Sequence, residues 1–487
     1  MGSGGLLCLQ RKDGAQLPVD IWLGTFESEG GGSLAVAFVR DMTEVRRMEE
    51  RMRYQATHDT LTGLKNRWTF SQLLQESLQQ SQVNGEPLAL LLLDLDNFKS
   101  INDGYGHAAG DGLLQEVAKR LQAVLARRGT LARLGGDEFT VLLPNVDVEQ
   151  AHLWAQQVLA ALSTPCHWGN VLLDFGASIG VAVSPYDAGD GATLLRYADM
   201  AMYRAKERGR GNYVFYEDSM RREMAEKVLL SERLRLALGY KGLVLHFQPQ
   251  IDIRTGQLCA AEALLRWTDP VLGEIAPDRF IPVAEASGLI LSLGSYVLDA
   301  ACHQISVWHK KGKPLRVAVN ISAQQLRQPN LVQQVRDALV RHHIEPQWLE
   351  LELTESQAMQ DCENASQTLQ QLADLGVGLA LDDFGNGHSS LAYLQHLPVS
   401  RLKLSKDFVQ HSGKGSRLLA AVVGLGHALG MEMVAEGVET PAQLTELQAL
   451  GCACYQGWLA SKALSAGQFE VWRNAHSAKP PAASLGG

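Results

Sequence analysis

Val377-Gly378-Leu379-Ala380-Leu381-Asp382-Asp383 is an apolar run that ends in two carboxylates, and it decides how the second half of the chain is read. A short apolar run bounded by charge suits a buried strand. The same punctuation recurs on both sides. Upstream, Glu352 lies within Leu349 to Thr354, Asn320 ends Val317-Ala318-Val319, and Glu262 lies in Leu258-Cys259-Ala260-Ala261-Glu262-Ala263-Leu264. Downstream, Lys403 lies in Leu402 to Leu404, Glu436 follows Met433-Val434-Ala435, and Gln456 follows Tyr455. Most members of the series are roughly 20 to 33 residues apart, about one βα unit. The longer gap from Glu262 to Asn320 leaves room for extra helices. Any one of these acids could be a solvated loop charge; the regular recurrence argues against that for the set.

Short β-type runs alternate with helical stretches from Leu243 to about Arg473, which predicts βα units around a parallel sheet or barrel. In a TIM-type barrel the C-terminal strand ends form one rim, and active sites sit there. Carboxylates and an Asn converging on that rim could hold two hard metal ions, with one Asp bridging. Two metals ~3.5–4 Å apart generate a hydroxide and stabilise the displaced oxygen of a phosphodiester.

Further outward, residues 58–216 read as an α/β block. Leu90 to Leu93 is strand-like and ends in Asp94-Leu95-Asp96. About forty residues on comes Leu131-Ala132-Arg133-Leu134-Gly135-Gly136-Asp137-Glu138-Phe139, a hairpin-like run. Two glycines allow a tight turn or a close approach to a ligand. Acids at that turn could meet Asp94 and form an oxygen site suited to Mg²⁺, which leaves room for phosphates. Residues 1–43 alternate in short runs and read as a few antiparallel strands. Residues 44–57, with Val45, Met48 and Met52 at helical spacing, predict an amphipathic helix. Residues 217–240 read as a linking helix with Met220, Met224 and Val228 on one face, residues 241–475 as the barrel, and 476–487 as a disordered tail.

Composition bounds the alternatives. The chain has 487 residues, 46% of them hydrophobic, enough for two or three domains. No apolar run approaches the ~18 residues of a spanning helix. A formal net charge of -9 argues against a nucleic-acid coat, although metal ions and local Lys or Arg residues can still recruit phosphates. Seven scattered cysteines read as free thiols in a reducing, cytoplasmic setting.

The 58–216 block resembles the GGDEF family of diguanylate cyclases. The resemblance rests on His58-Asp59-Thr60-Leu61-Thr62-Gly63-Leu64-Lys65-Asn66-Arg67, Asp94 through Asp103, Gly106-His107 with Gly110-Asp111, the Gly135-Gly136-Asp137-Glu138-Phe139 hairpin, Ser178-Ile179-Gly180, and Ala198-Asp199 through Lys206 to Arg210. It implies that Asp94 and Asp137 hold Mg²⁺ beside GTP, with Glu138 at the phosphates as a catalytic group. Gly135 and Gly136 would border the nucleotide, Asn102 and Asp111 would read guanine, and Lys206 and Arg210 would meet the terminal phosphates. Two such domains must face each other to join two GTP molecules, so a homodimer is implied, and helix 44–57 could pair the chains. Ala126 and Gly129 stand where the family's inhibitory product site has Arg and Asp. Arg127 and Arg128 lie nearby without an acid, so strong product inhibition is not expected.

Residues 243–470 resemble the EAL phosphodiesterase family. The motifs are Gln248-Pro249, Glu262-Ala263-Leu264-Leu265-Arg266-Trp267, Val319-Asn320-Ile321-Ser322, Glu352-Leu353-Thr354-Glu355-Ser356, Asp382-Asp383-Phe384-Gly385-Asn386-Gly387, Lys403, Ala435-Glu436-Gly437-Val438-Glu439 and Gln456-Gly457. The resemblance implies Glu262, Asn320, Glu352, Asp382 and Asp383 as ligands of two Mg²⁺ or Mn²⁺ ions. Lys403 would steady the nucleophile or phosphate, and Glu436 would help activate the attacking water. Gln248, Leu264, Arg266 and Gln456 would contact cyclic di-GMP. Glu355 would anchor the Asp383–Ser390 loop, and the product would be pGpG. Two departures stand out: Ser405 replaces an acid two residues after the Lys, with Asp407 displaced by two, and Ala463 stands where Pro is common.

Residues 9–44 resemble the closing strands of a PAS sensor, through Arg11-Lys12-Asp13-Gly14, Pro18-Val19 and Phe38-Val39-Arg40-Asp41-Met42-Thr43-Glu44. Only its second half is represented, so ligand sensing by this segment is not expected. The fold expected is thus α/β: a short antiparallel PAS-like remnant, a GGDEF domain and an EAL TIM-type barrel. Three functions fit: a bifunctional enzyme, a phosphodiesterase regulated by GTP bound at the GGDEF domain, and a non-catalytic cyclic di-GMP receptor.

Overall fold

The structure, a computed structural model, describes residues 7–27, 33–126, 128–239, 242–359, 362–385, 397–410 and 416–477. Arg127, the stretch from Asn386 to Ser390, and residues 478–487 of the expected tail lie outside the described residues. The chain divides into two compact units, residues 1–225 and 226–487.

The first unit begins with an antiparallel sheet of Leu7–Gln10, Gln16–Glu27 and Ser33–Asp41. Trp22 and Phe38 pair across it and are both exposed. The helix Thr43–Thr57 follows, with Met48 and Met52 exposed. The α/β block is built on a five-stranded sheet. Its order is Tyr213–Phe215, Gly176–Ser184, Leu88–Asp96, Glu138–Pro144, Thr130–Gly135. The Leu88–Asp96 strand is buried on both faces, which is why its sequence is continuously apolar rather than alternating. Leu91 and Leu93 pack with Val117 and Leu121 of helix His107–Leu125 and Val158 of helix Val148–Leu162. Leu90 and Leu92 pack on the other side with Phe70 and Leu74 of helix Arg67–Asn84 and Met202 of helix Gly191–Glu207.

The second unit is a closed eight-stranded barrel. Leu258–Asp269, Arg316–Asn320, Leu349–Thr354, Gly378–Phe384, Arg401–Leu404, Glu432–Ala435 and Cys454–Gln456 run parallel. Leu243–Asp252 closes the ring between the last and the first, antiparallel to both. Here the barrel departs from an all-parallel reading. The connection from Asp252 to Leu258 is a short turn, and a parallel crossover needs a dozen residues or more. The long interval between Glu262 and Asn320 holds helices Pro277–Ala286 and Ile290–Lys310.

The helix expected to link the two halves runs from Asp218 to Gly239. Met220 joins the core of the first unit and Leu230 and Leu234 that of the second, while Met224 and Val228 are exposed. A helix that serves two cores in succession does not keep one apolar stripe. The last helix, Ala466–Ser477, carries His476, where the tail was expected to start.

Candidate functional site

Lys403 is the hub of the barrel mouth. Its side chain is 1% exposed, and its Nζ lies 2.8 Å from Glu352 Oε2, 3.1 Å from Asp382 Oδ2, 2.7 Å from Glu436 Oε1 and 3.5 Å from Glu262 Oε2. The register explains the gathering: Asn320 sits beside Glu352 and Thr354 beside Asp382, so neighbouring strands present these side chains at one level. Four carboxylates share one ammonium, and they divide in their protonation: burial would raise Glu262, but Lys403 and the hydrogen bonds from Gln456 and Asn320 outweigh it and hold this carboxyl below its usual range. Burial pushes Glu352 well above the carboxylate range, and the other acids add to it. Burial likewise takes Glu436 up to about 8. Lys403 rises because the surrounding acids outweigh its burial.

This donor set fits divalent cations. Ligand oxygens of Glu262, Glu352 and Asp382 lie within 4.8 Å of one another, and so do those of Asp382, Asp383 and Glu436. Asp382 belongs to both groups. Glu352 Oε1 is buried with no hydrogen-bond partner among the described residues. A hard oxygen ligand that is buried, anionic and unpartnered is what a metal ion satisfies.

The expected substrate-side residues lie around the same mouth. Gln456 Nε2 donates to Glu262 Oε2 at 2.5 Å and to Gln248 Oε1 at 3.1 Å, and Gln248 Nε2 donates to the Ser461 carbonyl. Asn320 Nδ2 donates to Glu262 Oε1 at 2.7 Å. Glu262, Leu264 and Arg266 alternate along one strand, so they share a face. Arg266 is half-buried, which lowers its pKa. Asp383 takes a left-handed conformation at φ 53°, and its N–H donates to Asp382 Oδ1. Two residues on, the Gly385 N–H donates to Glu355 Oε2 at 3.1 Å, so Glu355 grips the start of the loop. Ser405 is buried directly after the Lys403 strand, and Asp407 lies in the first turn of helix Lys406–Gln410; burial raises the pKa of Asp383, Asp382 adds to it, and Asp407 contributes less.

Beneath this layer lies a second polar layer that sequence reading missed. Arg401, 1% exposed, donates to Glu432 at 2.6 Å, to Glu350 at 3.3 Å and to Gln250 at 3.2 Å. Gln250 Nε2 donates in turn to Gln456 Oε1 at 3.1 Å. The signal was in the two-residue period: Glu350, Arg401 and Cys454 each precede a mouth residue by two, and Gln250 follows Gln248 by two on the reversed strand.

In the first unit, Asp94 and Glu138 are directly paired across the sheet, and Gly135 and Gly136 turn the hairpin with positive φ. Lys206 Nζ lies 2.7 Å from Asp94 Oδ2. Burial raises Asp94, with Asp137 adding to the effect, and burial also raises Glu138, whose carboxylate lies 3.6 Å from Arg67. Among the described residues these acids do not form a cluster as tight as the barrel's, so phosphate oxygens would have to complete a metal's shell. Asn102 packs closely over Gly110, next to the exposed Asp111. Arg210 lies 4.0 Å from Asp96, a buried acid held by Ser178 Oγ and the Gly211 N–H and given no role from sequence. At Gly129 a Cβ would come within 2.7 Å of the Leu142 carbonyl, so the backbone there has no room for the family's acid.

Comparison with known proteins follows the same division. The family model described as diguanylate cyclase, GGDEF domain, matches residues 56–212, and that described as EAL domain matches residues 231–463. The chain is 42% identical over 430 residues to the bifunctional diguanylate cyclase/cyclic di-GMP phosphodiesterase MucR of Pseudomonas aeruginosa, covering 88% of this chain and 63% of that protein. It is 36% identical over 479 residues to the cyclic di-GMP phosphodiesterase PdeR of Escherichia coli, covering 95% of this chain and 72% of that protein. The solved Vibrio cholerae LapD S helix-GGDEF-EAL, bound to c-di-GMP, shares the fold at 20% identity and a TM-score of 0.54, over 86% of this chain and 100% of that one. The chain spans 63%, 58% and 54% of the lengths of three of its curated relatives.

Proposed function

Because the chain belongs to the GGDEF and EAL domain families, joined in that order, we propose that it both makes cyclic di-GMP from two GTP and hydrolyses it to pGpG. The observation that carries the hydrolase half is the Lys403-centred set of four carboxylates, three of them buried, with a Glu352 oxygen that has no hydrogen-bond partner among the described residues. Glu262, Asn320, Glu352, Asp382 and Asp383 would hold two Mg²⁺ or Mn²⁺ ions, which supply a hydroxide nucleophile and charge stabilisation when bound. Asn320 and Gln456 orient Glu262 by donating to its two oxygens. Glu436, whose carboxyl holds a proton near neutral pH, is placed to pass a proton to or from the attacking water. Lys403 offers a cation to the phosphate. Gln248, Leu264 and Arg266 would line the path of the cyclic dinucleotide.

In the cyclase half, Asp94 and Asp137 would take the metal that arrives with GTP. Lys206 and Arg210 would turn to the phosphates, and Asn102 and Asp111 would read guanine through its amide and amine edges. Lys206 would then exchange its ion pair with Asp94 for the triphosphate. One such domain holds one GTP, so synthesis requires a dimer, for which the exposed Met48 and Met52 of helix Thr43–Thr57 offer a contact. Residues 9–44 would serve as the PAS-derived start of that helix, in the cytoplasm where GTP is available. No helix among the described residues is long and apolar enough to cross a membrane. Incubating the purified protein separately with GTP and with cyclic di-GMP, each with Mg²⁺ or Mn²⁺, should yield cyclic di-GMP and pGpG respectively. Absence of pGpG in excess Mn²⁺ would leave the barrel a receptor.

A further inference from the structure

Cys259 and Cys454 lie on the two strands that flank the reversed strand Leu243–Asp252, and their sulfurs are 3.2 Å apart. Cys259 is the extra residue of a β-bulge: Gln250 pairs with Ala260 and Ile251 with Leu258, which leaves it without a partner across the ladder. Bulges re-aim side chains, and here the sulfur turns toward Cys454. We propose that this pair is an oxidation site that forms a reversible disulfide and thereby weakens the barrel's metal centre.

The surroundings favour the reaction. Arg401 Nη2 lies 3.7 Å from the Cys454 sulfur, so a guanidinium stands at the reacting pair. Cys259 is only partly buried, while Cys454 is 1% exposed. The hydrogen bond shared with Cys454, with help from Arg401 and Arg316, outweighs burial and draws the Cys259 thiol below its usual range, which marks it as the sulfur oxidised first. With hydrogen peroxide as oxidant, the Cys259 thiolate takes one peroxide oxygen. The O–O bond breaks, Cys259 becomes a sulfenic acid, and the other oxygen leaves as hydroxide and takes up a proton to become water. The Cys454 sulfur then displaces a second water, giving the S–S bond; both thiol hydrogens leave in the water formed. A disulfide is about 2.05 Å long and holds its Cα atoms within about 7 Å, so the sulfurs must close by at least roughly 1 Å and the strands on either side of Leu243–Asp252 must draw together.

That movement reaches the mouth by two short routes. Cys454 precedes Gln456 by two residues and Cys259 precedes Glu262 by three. The Cys454 sulfur also contacts Arg401, which holds Gln250, which holds Gln456, which donates to Glu262. Losing such outer-shell support at a metal site costs about 10–100-fold in affinity or activity.

The test uses the full chain with Cys8→Ser, because exposed Cys8 would otherwise join two chains. After peroxide treatment, free thiols are capped with N-ethylmaleimide and the digest is mapped by mass spectrometry. The expected result is a peptide pair linked through Cys259 and Cys454 that dithiothreitol separates. Mn²⁺ affinity by calorimetry and cyclic di-GMP hydrolysis should both fall about tenfold on oxidation and recover on reduction. Cys259→Ser and, separately, Cys259→Ala should respond to peroxide in neither measurement. Recovery of Cys259 and Cys454 only as separately capped or over-oxidised residues overturns the proposal, and so does a linked pair with unchanged Mn²⁺ affinity. The hydrolysis arm rests on the function proposed above, whereas mapping and calorimetry do not. A reduced protein that cleaves nothing therefore counts against that function alone.

Discussion

At the scale of single residues, Lys403 carries the largest local consequence. It is a buried cation with four acids around it, of which Glu262, Glu352 and Asp382 are buried. Removing one partner of a buried ionic set strands the others and costs about 3–5 kcal/mol. Lys403→Met should therefore lower the melting temperature in EDTA, and Mn²⁺ should raise it more in the variant than in the wild type. Equal melting temperatures in EDTA would refute the account. Glu436 sets a pH dependence. Its carboxyl titrates near 8 rather than the ordinary 4.5, because burial disfavours the anion. Protonated below that value, it must lose a proton before a metal can bind beside it. Mn²⁺ affinity should climb between pH 6 and 8 and level off above, with proton release visible by calorimetry in buffers of different ionisation enthalpy. The same sign means that the metal-free fold loses stability as pH rises from about 4.5 to 8. Ser405→Asp adds a fifth acid to this buried set. It should lower the Mn²⁺ concentration needed for half-maximal hydrolysis by about tenfold and destabilise the metal-free protein; an unchanged metal requirement would show that position 405 does not act on the centre. The mouth residues were legible because each ends or punctuates an apolar run. Arg401, Glu350 and Glu432 were not, because a charge inside a strand reads as an interruption until the barrel gives it an interior to face.

At the scale of elements, close packing in the first unit rests on Gly180. A Cβ there would lie 1.9 Å from the Ala198 carbonyl oxygen and 2.3 Å from the Met202 N, both backbone atoms of helix Gly191–Glu207. Neither can yield without moving the helix, and that helix carries Lys206 to Asp94. Gly180→Ala should thus lower stability by several kcal/mol, beyond the ~1–3 kcal/mol typical of overpacking, and reduce GTP turnover more than cyclic di-GMP hydrolysis. Equal loss of the two would mean that the damage is not confined to this packing. Leu90 to Leu93 was legible as a strand because a run buried on both faces leaves no alternation to misread. The reversed direction of Leu243–Asp252 was not, since the pattern of apolar residues is the same whichever way a strand points; only the short turn before Leu258 carried that information.

At the scale of the whole molecule, the acids proposed for synthesis and those proposed for hydrolysis belong to different compact units. Their losses should separate. Glu262→Ala should abolish hydrolysis and let cyclic di-GMP accumulate from GTP, while Asp137→Ala should abolish synthesis and spare hydrolysis. Chromatography of the nucleotides over time distinguishes these outcomes. If Glu262→Ala yields no cyclic di-GMP at any protein concentration, the first unit is a GTP-binding regulator. The division itself was legible from the change between one hairpin site and a recurring series of strand-end acids. The buried residues of the linking helix answer to two cores, so its buried face shifts midway, which no single apolar stripe in the sequence could announce.

The reversed strand also has a temporal consequence. Leu243–Asp252 and Leu258–Asp269 are adjacent in sequence and can pair as soon as both leave the ribosome, but the other edge of Leu243–Asp252 pairs with Cys454–Gln456, some two hundred residues later. During synthesis the nascent hairpin must carry an open strand edge for most of the time the barrel takes to be made. Unpaired edges invite association with other chains. Expression should therefore be most vulnerable to slow translation or truncation between the hairpin and the final strand, and a chaperone that shields β-edges should act on the growing chain rather than on the finished protein.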